Sequence, residues 1–349
     1  MDTEHIQLAH GGGGQLTAEL IEHVILPALS GVEAEASDVQ QAGRLTDAAS
    51  LDLAGGSVAF TTDSYVVKPL EFPGGNIGKL AVCGTINDLA VAGAVPKALS
   101  FALVLQEGLE MELLRRVLAS AGRAAEKAGA TVVTGDTKVV ERDALDGIVI
   151  NTAGVGEILP QAKLGFDRIA DGDRIVLSGP LGEHGMAVMS MRQGLNFSAE
   201  LESDCAAIHG LSCSLIERLG SAVKFMRDPT RGGLAATLVE LSVGTGRDIE
   251  IVESAIPVNR TALAAAEMLG LDLLTVANEG KLVAVIDAEA ADEAVAILAN
   301  QEIASRAAVV GTVGQVRQPD APALVEMVTR VGGRRVVQMP YGQQLPRIC

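Results

Sequence analysis

IGKLAVCGTINDLAVAGA (77–94), ALSFALVL (98–105) and MELLRRVLASAGRAAEKA (111–128) follow one another along this chain. The first reads as a helix, the second as an apolar strand too short for a helix of its own. The third is an amphipathic helix stopped by Gly129. Outward from this block the alternation continues. Residues 57–62 (SVAFTT), 131–134 and 148–155 read as strands. Residues 159–172 mix Pro, Gly and both charges between periodic blocks and form a linker candidate. Beyond it a second run begins with a strand at 174–177. It continues with helices near 185–193, 205–220 and 233–244, and with strands at 282–286 and 308–313. The chain has 349 residues, enough for two cores. The expected fold class is therefore α/β (α+β) in two domains, 1–160 and 171–335, with a mobile tail at 336–349.

The net charge of −17, with no basic cluster, argues against nucleic acid and anionic membranes as partners. Aromatic residues make up 2%, so stacking surfaces for bases or sugars are scarce. The first residues carry acids and lack the apolar core of a signal peptide. The apolar stretch 89–105 contains Pro96, Lys97 and Ser100 and is too short to span a bilayer comfortably. Cys83, Cys205, Cys213 and Cys349 show no C-x-x-C spacing, so neither a zinc site nor a disulfide framework is indicated. A cytoplasmic, soluble protein is the expectation.

No standard nucleotide fingerprint is present. Gly74-Gly75-Asn76-Ile77-Gly78-Lys79-Leu80 is too short for a P-loop and lacks its Ser/Thr. Aspartates do recur beside Gly, Thr or Asn, and they read as lying at strand or helix ends: Asp63, Asp88, Asp136, and Asp228 in the run Asp228-Pro229-Thr230-Arg231-Gly232-Gly233. Such residues make turns and caps. As a set they also suit Mg²⁺, which takes one or two protein carboxylates and completes its shell with phosphates and water. A chain this acidic holds a polyanion by placing a cation and backbone N–H groups between the charges. Gly11, Gly12, Gly13 and Gly14, and Gly232 and Gly233 before a helix, can supply those donors. Lys138 stands two residues from Asp136, and Glu279 precedes a strand beside Gly280. A buried Lys/Glu pair can exchange protons with a substrate, although each can equally be a surface charge. The five histidines are scattered, and no Ser-His-Asp arrangement is legible. The chain finally ends in a thiol, Cys349, after the Gly- and Gln-containing stretch Tyr341-Gly342-Gln343-Gln344. A thiolate on such a leash can carry a group to a site and away again.

The segments around Asp63, Asp88, Asp136 and Asp228 resemble the ATP-dependent superfamily of aminoimidazole ribonucleotide synthetase and selenophosphate synthetase. Within it, His10-Gly11-Gly12-Gly13-Gly14, Gly135-Asp136-Thr137-Lys138-Val139-Val140, Asn278-Glu279-Gly280 and terminal Pro346-Arg347-Ile348-Cys349 resemble the hydrogenase maturation factor family HypE, nearly end to end. The resemblance implies a two-domain fold that dimerises through its N-terminal domain. It implies that a carbamoyltransferase, HypF, loads a carbamoyl group onto Cys349. ATP would then phosphorylate the amide oxygen, and dehydration would leave a thiocyanate. The cyanide would pass to the scaffold pair HypC and HypD for the iron of a [NiFe]-hydrogenase. Asp63, Asp88, Asp136 and Asp228 would be the Mg²⁺–ATP ligands, and Lys138 and Glu279 the proton-handling groups. A phosphotransferase of the same superfamily with a small free substrate is the alternative enzyme. A scaffold that merely carries a group on Cys349 is the non-enzymatic one.

Overall fold

The 77–128 block folds as helix, strand and helix, and it organises the first half of the molecule. The computed structural model describes residues 5–30, 46–53, 55–195, 201–317, 323–342, 345 and 347–349. Gln343, Gln344 and Pro346 of the terminal stretch lie outside the described residues. The described residues open with a 3-10 turn (Leu8–Gly11), followed by α1 (Gln15–Leu20), a π-helical turn (Ile21–Ile25) and α2 (Leu26–Ser30). Then come β1 (Ala49–Leu53), β2 (Gly56–Tyr65) and a small hairpin of β3 (Glu71–Phe72) and β4 (Gly75–Asn76). Helix α3 (Ile77–Val91), β5 (Ala94–Gln106), α4 (Met111–Lys127), β6 (Thr131–Val140) and β7 (Ile148–Ile158) complete the first half.

Among the described residues the first sheet has the order β1-β2-β7-β5-β6, antiparallel except for the β5/β6 pair. Asn76 caps α3 by accepting from the N–H groups of Gly78 and Lys79 at 3.0 and 3.1 Å. Helix α3 is buried along nearly all its length, as its Ala, Val, Leu and Ile content on every side requires. Helix α4 buries only the stripe Val117, Ala121 and Ala125. Phe60 and its β7 partner Val155 are exposed on the far face of the sheet, and the edge strand β6 is exposed nearly throughout, Val132, Val133 and Val139 included. Two features differ from the sequence reading. Strand β5 starts at Ala94 and takes in Pro96, where the pairing with β7 shifts register. Strand β6 does not end near residue 134: its parallel register with β5 runs on from Phe101↔Gly135 to Gln106↔Val140, so Asp136 lies inside the strand. Asp63 and Asp88 likewise lie within β2 and α3, not at their ends.

The second half comprises β8 (Arg174–Leu177), α5 (Glu183–Arg192), α6 (His209–Leu219), β9 (Val223–Arg227), α7 (Gly233–Thr245), β10 (Arg247–Val252), α8 (Arg260–Leu269), β11 (Val283–Ile286), α9 (Ala291–Ala299), β12 (Ala308–Val316), β13 (Val325–Val328) and β14 (Arg334–Val337). Its sheet runs β14-β13-β10-β12-β8-β11-β9, with only β10 and β13 parallel. The class is thus α+β in its layering. Period-2 alternation explains why the central strands are apolar on both faces. Ile175, Leu177, Val283 and Val285 pack against Leu234, Leu238 and Leu241 of α7. Val176, Ala284 and Ile286 pack on the other side against Leu211 and Leu215 of α6 and Ile297 and Leu298 of α9. A further core cluster joins the halves: Tyr65, Ile77 and Leu80 meet Met186 and Val188 of α5, and Leu345 and Ile348 of the C-terminus are part of it. No helix among the described residues is long and apolar enough to cross a membrane.

Candidate functional site

The site lies where α3 of the first half meets the loops that end β9 and precede β11. Two consecutive residues of α3 look across this junction. Asp88 joins Asp47, just ahead of β1, and Asp228, just after β9; one oxygen from each lies within 4.8 Å of the others. Thr61 Oγ1 is 2.8 Å from both Asp88 Oδ2 and the Asp47 carbonyl oxygen. Arg227 holds Asp47 through Nε at 3.0 and 3.1 Å and reaches Glu240 with Nη1. Burial first, and then the neighbouring carboxylates, raise the pKa of Asp88 well above the usual range and that of Asp228 to about 8. Three crowded, partly desolvated hard oxygen donors are the chemistry that a divalent cation satisfies, so these residues fit Mg²⁺.

Asn87, the neighbour of Asp88, donates through Nδ2 to the Glu279 and Ala206 carbonyls at 3.2 and 3.1 Å and accepts from the Ile208 N–H at 2.9 Å. Asp204 accepts the N–H groups of Glu279 and Gly280, both at 3.2 Å, and is itself ion-paired with Lys281 at 3.2 Å. Asn278 donates to the carbonyls of Pro229 and Val276 and accepts from Gly182 N–H at 2.7 Å. The backbone on both sides of Glu279 is thereby fixed, and its side chain is 2% exposed. Burial, then Asp228, Asp204 and Asp63, push its pKa well above the ordinary carboxylate range, while Arg231 opposes them. Among the described residues Glu279 Oε1 has no hydrogen-bond partner.

Cys349 shares the junction with Glu279, Arg231 and Asp63, close enough for their charges to act on its thiol. Burial and the Glu279 charge push the thiol up, and the Arg231 guanidinium pulls it down. Arg231 also faces Asp63, 3.8 Å away. Gly13 has φ +72°, and a side chain there would come 2.5 Å from Arg231 Cβ, so the glycine loop lies directly on the Asp228–Gly233 turn. Gly233, at φ +60°, leaves no room for a Cβ beneath the Leu274 and Val276 carbonyls.

The structure therefore gathers Asp63, Asp88, Asp228, Glu279, Cys349, the Gly11–Gly14 loop and Gly232–Gly233. It does not bring Lys138 or Asp136 to them within one chain. Both stand on the exposed edge strand β6, two residues apart on one face, and pair with each other at 2.9 Å. Lys138 depresses the Asp136 pKa there. Of the glycine N–H groups expected to face phosphate, those of Gly12, Gly13 and Gly233 donate to Ala9 O, Thr17 Oγ1 and Thr230 O. Sequence reasoning missed Asp47, Arg231 and Asp204. Thr46-Asp47 carries the same Thr-Asp signal as Thr62-Asp63, but nothing local marks Asp204.

Comparison with known proteins places this geometry. The family model "AIR synthase related protein, N-terminal domain" matches residues 45–158, and "AIR synthase related protein, C-terminal domain" matches 170–321. A carbamoyl dehydratase HypE from Rhizobium leguminosarum bv. viciae is 45% identical over 344 residues, spanning 99% of this chain and 95% of the relative. The solved HypE–HypF complex contains a chain of 41% identity and TM-score 0.82, covering 92% of this chain and 99% of that one. HypE solved in complex with ATP gives 43% identity and TM-score 0.80, with 97% and 98% coverage. With two domain models covering most of its length and full-length identity this high, the chain belongs to the carbamoyl dehydratase HypE family of AIR synthase related proteins.

Proposed function

We propose that this chain is an ATP-dependent carbamoyl dehydratase acting on its own C-terminus, converting an S-carbamoyl group on Cys349 into a thiocyanate. Family membership and the likeness to a HypE structure holding ATP support the reaction class. The observation that carries the residue-level reading is the Cys349 thiol against Glu279, a buried carboxyl with raised pKa and one unpartnered oxygen.

HypF is the loading partner in this reading, by analogy with the HypE–HypF complex. Mg²⁺–ATP at Asp47, Asp88 and Asp228 would supply the phosphoryl group that makes the carbamoyl oxygen a leaving group. The chain itself holds the carbamoyl carbon through Sγ and removes two protons from the nitrogen as the C–O bond breaks and the C≡N bond forms. The balance is one carbamoyl group and one ATP to one thiocyanate, ADP and phosphate. Glu279 is the base: its raised proton affinity suits it to a weakly acidic amide once ionised, a role worth about 10²–10⁴ in rate. Arg231 keeps a positive charge beside the sulfur and Glu279 throughout. Asp63 supports the cation from the rim. The remaining parts of the reading are delivery of cyanide through HypC and HypD to the iron of a [NiFe]-hydrogenase, a cytoplasmic setting, domains at 1–160 and 171–335, and a tail expected at 336–349, of which the part beyond β14, which holds Val336 and Val337 in the second sheet, leaves its seat to be loaded. A homodimer through the open face of the first sheet completes it, supported by the exposed Phe60 and Val155. On that face a second copy would bring Lys138 and Asp136 towards a nucleotide.

Carbamoyl-loaded chain incubated with Mg²⁺ and ATP should lose the mass of one water from its C-terminal peptide. Glu279→Gln should keep the full carbamoyl mass while still binding ATP. Loss of water by this variant at the wild-type rate would remove Glu279 from the mechanism.

A further inference from the structure

We propose that helix α5 is a latch for the C-terminal tail: His184 and Arg192, near its two ends, are positioning residues that grip the tail backbone and so seat the Cys349 thiol at Glu279. The proposal rests on the dehydratase reading for its purpose, but its geometry stands apart from the chemistry.

The last three residues lie beside residues 66–68. Val66 N–H donates to a carboxylate oxygen of the terminal Cys349 at 3.4 Å, and Lys68 N–H donates to the Arg347 carbonyl at 3.2 Å. Arg347 turns the tail with a left-handed φ of +52°, and the intervening Ile348 carbonyl takes its partner from elsewhere. His184 meets it, with Nε2 at 2.7 Å. A carbonyl only accepts, so Nε2 carries the proton and Nδ1 must accept. Ser203 Oγ, 2.8 Å from Nδ1, is the hydroxyl that donates to it, and that oxygen in turn accepts from Cys205 N–H at 3.0 Å. The tautomer is thus set by its neighbours. Phe72 stands edge-on to the imidazole at 5.3 Å and holds its plane. Burial lowers the His184 pKa and keeps the ring neutral. At the other end of α5, Arg192 donates through Nε to the Lys68 carbonyl and through Nη2 to the Arg347 carbonyl, bridging the tail to the segment it lies beside.

The contacts that His184 and Arg192 make to the tail are to its backbone, and none uses the sulfur. The grip therefore leaves Sγ free to carry a group while the Ile348 side chain, 3% exposed, fills the junction between the halves. The helix that grips the tail also begins at the base. Gly182, its N-cap, donates to Asn278, and Glu183 binds Lys281, the residues flanking Glu279 and Gly280. Thiol and carboxyl are consequently registered to one rigid element.

The test uses the full chain and needs neither ATP nor a partner. Iodoacetamide is applied, and the C-terminal peptide is followed by mass spectrometry, with half-buried Cys213 on α6 as an internal standard for folding. In the wild type Cys349 should react slowly. His184→Leu and Arg192→Met each remove one grip and should speed its alkylation about ten-fold, with Cys213 unchanged. His184→Gln keeps an N–H donor and should stay within about three-fold of wild type. With a loaded carbamoyl group, the Leu and Met variants should dehydrate more slowly at unchanged ATP affinity. Equal Cys349 alkylation in folded wild type, His184→Leu and Arg192→Met overturns the latch, even if dehydration proceeds. Failure of the wild type to dehydrate, with the alkylation pattern intact, overturns the dehydratase reading and leaves the latch. If His184→Leu does not fold, Arg192→Met decides alone.

Discussion

Replacing Asp228 by Asn tests the carboxylate group through stability alone. Asp228 is 7% exposed, beside Asp47 and Asp88, and its pKa is raised to about 8. In the unfolded chain it titrates near 3.9. Between those two values the folded state holds a proton that the unfolded state has released, so metal-free stability falls as pH rises, by about 1.4 kcal/mol per pH unit. The full penalty approaches about 5 kcal/mol by pH 8, of which about 2 kcal/mol accrues between pH 6.5 and 8. Asp88, Glu279 and Glu240 are shifted upward too and add slope of the same sign. Buried His184 and half-buried His209 are shifted downward and act oppositely, but below about pH 6.5, so the window above it isolates the carboxylates. Asn keeps the shape, and Asp228's contact to Thr230 is through its backbone carbonyl, which survives. Thermal melts in EDTA should show wild type losing roughly 4–8 °C from pH 6.5 to 8, the shift that about 2 kcal/mol produces in a domain of this size. Asp228→Asn should be flatter and more stable than wild type at pH 8. Saturating Mg²⁺ should restore the wild type at pH 8 and help the variant much less. A metal-free wild type equally stable at both pH values, with no gain in the variant, would mean that these carboxylates are not compressed negative charge, and the cation reading would fall with them.

Two further expectations follow from the same geometry. Cys349→Ala should fold with an unchanged melting temperature within about 1 °C and still bind ATP, yet accept no carbamoyl group from HypF; loading of the variant at another residue would refute the thiol assignment. Asp204→Asn leaves Lys281 with Glu183 as its remaining partner and weakens two acceptors of the Glu279–Gly280 backbone, so urea denaturation should show a loss of about 3 kcal/mol, and dehydration should slow; a loss under about 0.5 kcal/mol would show that Asp204 does not hold this loop.

The helix, strand and helix at 77–128 were legible because local periodicity is a property of consecutive residues. The same holds for the glycine that closes α4. The chemistry-bearing residue types were legible as well: Asp88, Asp228 and Glu279 beside Gly, Thr or Asn, and a thiol at the last position. Distance between residues far apart in sequence is not written locally. Asp47 and Asp228 are brought together only because the start of β1 and the end of β9 meet at one junction, and Asp204 serves Glu279 only because its segment packs under α3. The same reason separates Lys138 from Glu279 within the chain: continued pairing of β6 with β5 carries Lys138 along an exposed edge, whereas Glu279 is buried at the junction. The tail shows the division most clearly. Sequence alone determined that the last residue carries a thiol; only the tertiary structure decided that the two preceding carbonyls meet His184, Arg192 and Lys68, because hydrogen-bond donors from both halves converge there and nowhere in the linear order.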